Sequence, residues 1–331
     1  MTRDSVLGAG LVCMEELRAA QARLRGVALR TPLVRMEAGT FAGGLWLKAE
    51  SLQPIGSFKL RGAFNKVAQL NEDERRRGVI TYSSGNHGHG VAYAARAIGI
   101  ESVVVMPANA PESKKRAVAA LGAEIVSVGP ASSERKARAE ELAGAHGYVV
   151  IPPYDDRAII AGQGSCGLEI VEDLPQVDLV LAPVGGGGLL SGVAAAIKLV
   201  RPQTKVIGVE PELASDAAES FKTGGIVTYS AGQTSRTLAD GLRTQSLGAL
   251  NFAHIRAYVD GIVTVTEAEI CEAMRRIVFA ARLVPEPSGA VPVAAALFHA
   301  AALPRAMTVA AILSGGNVEP GVLAEVLAAA D

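Results

Sequence analysis

The chain has 331 residues, 49% of them hydrophobic and 20% charged, which is a globular composition large enough for one big domain or two modest ones. Its formal net charge is -1 with both signs interspersed, so no basic face is expected, and neither nucleic acid nor a membrane is expected as a partner. No run of ~18 apolar residues lacks charge or glycine, and Met1–Gly10 has no signal-peptide pattern.

In chain order, short apolar runs predict strands over Leu45–Ala49, Val79–Tyr82, Ser102–Met106, Glu124–Val128, Tyr148–Ile151, Leu179–Val184, Val206–Val209, Ile262–Val265 and Val309–Leu313. Amphipathic stretches predict helices over Ser113–Leu121, Ser133–Ala145, Leu189–Val200, Glu267–Ala281, Pro292–Ala302 and Gly321–Ala330. Such alternation means βαβ units and an α/β fold with largely parallel sheets flanked by helices. The units between Val79 and Ile151 predict a small open sheet in residues 78–152. That unit is inserted between residues 1–77 and 153–331, which would share a larger sheet. Cys13, Cys166 and Cys271 are far apart and lack CxxC spacing, as expected of reduced thiols in the cytoplasm.

Active sites in open α/β sheets lie where strands end and helices begin. After the strand ending at Val184, Gly185, Gly186, Gly187 and Gly188 run directly into a helix. Four residues without Cβ let the backbone wrap an oxyanion, and the helix N-terminus adds N–H groups and positive potential. A phosphate fits such a loop, and a nucleotide fits it too. Glu210, roughly twenty residues on, stands where a ribose-binding acid would. The spacing is not GxGxxG, however, because Leu190 occupies the third glycine position. A nucleotide-binding dehydrogenase or a non-catalytic binding protein therefore stays open as a remote alternative at this point.

Three further segments end in polar groups. Ser57–Phe58–Lys59–Leu60–Arg61–Gly62–Ala63 opens a helix after a turn, and Lys59 lies between Phe58 and an apolar face. Desolvation there lowers an amine's pKa toward nucleophilic use. Ser83–Ser84–Gly85–Asn86–His87–Gly88 follows the Val79–Tyr82 strand and suits a carboxylate. Ser314–Gly315–Gly316–Asn317 ends the Val309–Leu313 strand, where a hydroxyl can meet a heterocycle nitrogen or simply cap a helix.

Together with Ala161–Gly162–Gln163–Gly164 and Ala239–Asp240–Gly241, these segments, in this order, resemble the fold type II (tryptophan synthase β-like) pyridoxal-phosphate (PLP) enzymes. The resemblance is to the serine racemase, threonine dehydratase and hydroxyaspartate dehydratase branch, and it runs from about Leu17 to Asn317. It implies that Lys59 carries the cofactor and that residues 1–77 and 153–331 form a PLP-binding domain beside a smaller substrate-side one. Phe58 would pack beside the ring, Gly241 would leave room on its other face, and Asn86 would bond the ring hydroxyl. Gly185 to Gly188 would hold the phosphate and Ser314 the ring nitrogen. Ser83, Ser84, Asn86 and His87 would surround the substrate carboxylate, and Arg135 would read a polar or acidic side chain unless it is simply solvated. The resemblance also implies a Mg²⁺ (or Ca²⁺ or Mn²⁺) site made by Glu210, the Ala214 carbonyl and Asp216, which moves Glu210 away from ribose binding. A homodimer is expected on the same ground.

The implied chemistry starts from the cofactor as electron sink for a Cα carbanion. Lys59 would be the base beside Cα. A neutral serine at the ring nitrogen withdraws less charge than a carboxylate-paired one, which favours early loss of a β-hydroxyl. The expected activity is thus an ammonia-lyase (dehydratase) turning a small β-hydroxy amino acid such as L-serine or L-threonine into a keto acid and ammonia. The alternatives are an amino-acid (serine) racemase, with Ser84 as acid/base on the opposite face, and a hydroxyaspartate-type dehydratase. His89 stands where relatives often carry glutamine or arginine. No regulatory domain is expected after Asn317, so feedback control by a distal amino acid is not predicted.

Overall fold

The computed structural model describes residues 10–37, 39–83, 85–129 and 132–328. They form two sheets flanked by helices. The larger has six strands in the order β1 (Leu33–Met36), β2 (Gly44–Ala49), β10 (Thr308–Leu313), β7 (Leu179–Pro183), β8 (Lys205–Pro211) and β9 (Gly261–Val265). All its pairings are parallel except β1 with β2. The smaller is wholly parallel, in the order β5 (Glu124–Val128), β4 (Ser102–Pro107), β3 (Val79–Tyr82) and β6 (Val149–Val150).

Parallel sheets need cover on both faces, and the side-chain alternation provides for it. Leu45, Leu47, Leu179, Leu181, Val309, Ala311 and Leu313 enter one core cluster. Their neighbours Val180, Ala182, Ala310 and Ile312 enter the cluster on the other face. Small residues fill much of both, as the low aromatic content requires. In the small sheet Val104 and Met106 pack on one side, while Ile80, Val103 and Val105 pack on the other.

The predicted strands all form; Val79–Tyr82 and Glu124–Val128 match to the residue, and the others shift at one or both ends by one or two residues. One strand was not predicted. Leu33–Met36 is an edge strand with Arg35 exposed, too short and too mixed to show alternation. Two helix expectations need correction. The stretch Glu267–Ala281 is α-helical only over Glu267–Arg276; Ile277–Ala281 is a π-helical turn that ends at Arg282, with φ of 60°. The helix expected over Pro292–Ala302 spans Pro287–Phe298, because Pro287 at its first turn is the natural start and Pro292 is accommodated inside. The last helix is Pro320–Ala328. Among the described residues no helix is long and apolar enough to cross a membrane.

Candidate functional site

Strand order locates the site. In the large sheet β8 and β9 lie to one side of β7 and β10 to the other, so the order reverses between β7 and β10. A crevice opens at the carboxyl ends of such a pair. Here those ends are Pro183, leading to the tetraglycine loop, and Leu313, leading to Ser314. In the small sheet the reversal lies between β3 and β6, and the end of β3 leads to Ser83.

The segment before Lys59 is pinned to the β10 end. The Phe58 N–H donates to the Ser314 carbonyl at 3.0 Å, Gly316 N–H donates to Gly56 O at 2.9 Å, and Ser57 bridges Gly315. Lys59 then opens the helix Lys59–Val67. Its ammonium donates to the Pro153 carbonyl at 2.8 Å and lies 5.3 Å from the Phe58 ring centroid. Burial brings its pKa down to about 8, against the opposing pull of Glu286. A lysine so placed keeps a substantial neutral fraction near physiological pH, which both a nucleophile and a base require.

The tetraglycine loop is a cradle in which side chains have no room. Gly187 is the N-cap of the helix Gly188–Val200, with φ of 96°. A Cβ on Gly186 would lie 2.3 Å from the Tyr154 ring, and one on Gly188 would lie 3.0 Å from Tyr154 Cβ. Gly241 approaches the loop from the turn Asp240–Leu242: a Cβ on Gly185 would sit 3.4 Å from its carbonyl oxygen. Ser314 is buried. A phosphate suits the loop, whose bare backbone leaves room for it, and Lys59 and Ser314, joined through the Phe58 N–H to Ser314 O bond, supply the amine and hydroxyl that PLP would use.

Asn86, first residue of the helix Asn86–Ile98, is held from both sides. Its amide donates to Glu286 Oε1 at 2.8 Å, and its carbonyl oxygen accepts from Asn317 Nδ2 at 2.8 Å. Glu286 is buried, and that burial, reinforced by Asp240, raises its carboxyl pKa to about 7. His87 is also buried, with its pKa pushed down to about 3 by desolvation and by Lys59. It is therefore neutral. Its Nε2 lies 3.0 Å from the Ile151 carbonyl, so that nitrogen carries the proton and Nδ1 is left as a buried acceptor without a partner. An acceptor cannot bond a carboxylate directly, so His87 offers an anion its backbone N–H at the helix start instead of its ring.

Ser83 hydroxyl oxygen accepts from Gly85 N–H at 3.1 Å. Ser84 lies outside the described residues. Arg135 stands in the first turn of the helix Ser132–His146, beyond the carboxyl end of β5, half-buried and with its pKa lowered by that burial.

The metal candidates cluster behind the loop. Glu210 is the penultimate residue of β8; its carboxylate oxygens accept from Ala217 N–H at 3.2 Å and Ala218 N–H at 2.7 Å. Asp216 is buried, and neither of its carboxylate oxygens has a partner in another residue. Burial raises its pKa to about 7, and the Asp216 charge, added to burial, drives Glu210 well above the carboxylate range. Asp216, desolvated and with both oxygens unpaired, and the desolvated Glu210 whose pKa its charge raises have the all-oxygen chemistry that suits a hard cation. Among the described residues no group of three or more His, Cys, Asp or Glu side chains is placed to hold a metal. The sequence motifs missed Pro153, Tyr154 and Glu286, and gave Asn317 no role of its own. Glu286 had one signal, a lone charge between Pro285 and Pro287, and Tyr154 another, a scarce aromatic in the segment that follows β6.

Known proteins are similar to this chain over nearly its whole length. The L-threonine ammonia-lyase of Thermotoga maritima is 40% identical over 319 residues, spanning 96% of this chain and 78% of that protein. The L-threo-3-hydroxyaspartate ammonia-lyase of Saccharomyces cerevisiae is 39% identical over 302 residues, 91% of each chain. The structure of maize serine racemase superposes with a TM-score of 0.90 at 35% identity, covering 94% of this chain and 95% of that one. A family model described as pyridoxal-phosphate dependent enzyme matches residues 24–315, and the chain belongs to that family.

Proposed function

We propose that the protein is a PLP-dependent ammonia-lyase that eliminates water from a β-hydroxy amino acid such as L-serine or L-threonine, yielding a keto acid and ammonia. The observation that carries this reading is Lys59: an amine with its pKa brought to about 8, at the crevice shared by the tetraglycine loop and Ser314. Two of the similar proteins are named as ammonia-lyases. Residues 1–77 and 153–331 would form the PLP-binding domain and residues 78–152 the substrate-side domain.

The backbone N–H groups of Gly185–Gly188 would bind the phosphate, Phe58 and Gly241 would flank the ring, Asn86 would orient the ring hydroxyl and Ser314 the ring nitrogen. The cofactor, when bound, supplies an electron sink for charge left on the substrate Cα. Lys59 Nζ holds the cofactor and then takes the Cα proton. Ser83, Ser84, Asn86 and the His87 N–H would receive the substrate carboxylate, and Arg135 would read its side chain. Glu210, the Ala214 carbonyl and Asp216 would hold Mg²⁺, or Ca²⁺ or Mn²⁺ in its place, whose charge would neutralise the two acids. The chain acts as a homodimer in the cytoplasm; its free cysteines suit a reducing compartment.

The similarity to maize serine racemase favours one second reading, racemisation with Ser84 as acid/base on the other face of Cα. Both readings are separated by incubating the PLP-loaded protein with L-serine, L-threonine and L-threo-3-hydroxyaspartate while keto acid and D-amino acid are measured side by side. Keto acid is expected from at least one of them. D-amino acid without keto acid would replace the lyase reading with the racemase one, and Ser84→Ala should then remove that product. A visible absorption band that borohydride removes and Lys59→Ala abolishes is expected of the loaded protein.

A further inference from the structure

Arg61, two residues past Lys59, and the segment Ala161–Gly162–Gln163–Gly164 both belong to motifs shared with the family, yet neither touches the cofactor or substrate positions. Side chains two apart on a helix project about 200° apart, so Arg61 points away from the site that Lys59 enters. It enters the protein interior instead, and it is completely buried there. Its guanidinium is held on two edges. Nε and Nη2 each donate to a different Glu50 oxygen at 2.8 Å, while Nη1 and Nη2 donate to the two Glu169 oxygens at 2.7 and 2.8 Å. Ser165 Oγ and the Leu29 carbonyl also accept from it, at 3.0 and 3.2 Å. Lys48 Nζ donates to Glu169 at 2.7 Å, so the buried charges sum to zero.

A buried ion network is a poor way to gain stability, since desolvation consumes most of what the attraction returns. What a doubly bidentate guanidinium does supply is direction. Glu50 follows β2, and Glu169 lies on the helix Arg157–Asp173. That helix is also the spacer between the two halves of the cofactor site. On one side a Cβ at Gly162 would meet Gly62 Cα at 2.7 Å, in the Lys59 helix; on the other a Cβ at Gly192, in the helix after the tetraglycine loop, would meet Ile160 O at 2.2 Å and Gly164 N at 2.6 Å. Backbone rests on backbone at both contacts, so the spacer has no soft side chain to absorb a shift.

We propose that Arg61 is a positioning residue: locked between Glu50 and Glu169, it sets the rotation and height of the Lys59 helix against the spacer, and through Gly162, Gly164 and Gly192 fixes Lys59 relative to the tetraglycine loop. This rests on Lys59 and that loop binding the two ends of one PLP molecule.

Arg61→Lys keeps the charge and loses the fork; Glu169→Asp keeps every charge and shortens one arm. Leu168→Ala, on the same spacer but packed among Leu17 and Ala195, serves as a destabilised control. For each, thermal melting of the cofactor-free protein is measured with visible circular dichroism, kcat and KM of the PLP-loaded protein. Arg61→Lys should lower kcat on the order of 10²-fold, the cost of an ångström-scale misplacement, with KM little changed and the visible dichroism altered. Glu169→Asp should do the same more weakly, and it alone decides if Arg61→Lys does not accumulate folded. Leu168→Ala should melt earlier yet keep both kcat and dichroism. If the Arg61 and Glu169 variants merely melt earlier, like the control, the positioning role is overturned. A wild-type protein with no visible band would instead overturn the cofactor reading beneath it.

Discussion

Replacing Gly187 with alanine separates two costs that the tetraglycine loop avoids. The first is conformational. Gly187 has φ of 96° and ψ of -7°, and an L-residue in left-handed backbone costs about 1–2 kcal/mol. The second is crowding. The new Cβ would lie 2.9 Å from Asn251 Cβ, 3.0 Å from Leu247 Cδ2 and 3.2 Å from Ile255 Cδ1, overpacking that costs about 1–3 kcal/mol. Gly224 provides the subtraction, because it shares the conformation, with φ of 81°, and has nothing within 4 Å of its added Cβ. Gly224→Ala should therefore lose only about 1–2 kcal/mol. Urea unfolding of the cofactor-free variants measures both. A PLP titration adds the functional half. Swinging one loop N–H off a phosphate oxygen removes a charge-assisted hydrogen bond of about 1.5–3 kcal/mol, so Gly187→Ala should weaken PLP roughly 10- to 100-fold while Gly224→Ala leaves affinity unchanged. Equal destabilisation of the two variants, or unchanged PLP affinity in Gly187→Ala, would refute the reasoning.

Glu286 has a native pKa of about 7 against an ordinary 4.5, so its contribution to stability is complete below pH 4.5 and lost as pH rises through 7. Glu286→Gln should flatten that decline in the pH dependence of the urea midpoint. For Lys59 the native pKa of about 8 lies below the ordinary 10.5, so the cofactor-free protein should gain stability from pH 8 upward, a gain that Lys59→Met removes from the same curves. Asp216→Asn removes an uncompensated buried acid, so the metal-free protein should melt higher, while the rise in Tm on adding Mg²⁺ should vanish; a wild-type Tm indifferent to Mg²⁺ and to chelator would reject the cation.

Much of the fold was legible because buried parallel strands are written as apolar runs, and Val79–Tyr82, Leu179–Pro183 and Thr308–Leu313 stand out on that ground alone. The helix Arg157–Asp173 did not stand out. Its Gly162, Gly164 and Gly167 lower helix propensity, and only the close approach of two neighbouring helices shows why a side chain is excluded there. Leu33–Met36 was missed for the opposite reason: an edge strand needs little apolar signal.

The amino-acid sequence by itself determined the α/β class and singled out Lys59, the glycine run and the serine after β10, because each is a local pattern where a helix begins or a strand ends. It could not determine which groups share a low-dielectric space. Only the tertiary structure set Glu286 beside Asn86, turned the His87 ring away from carrying charge, and brought Arg61 and Glu169 into one network from residues far apart in the chain. Protonation and direction depend on burial and on partners distant in sequence, and those exist only once the chain has folded.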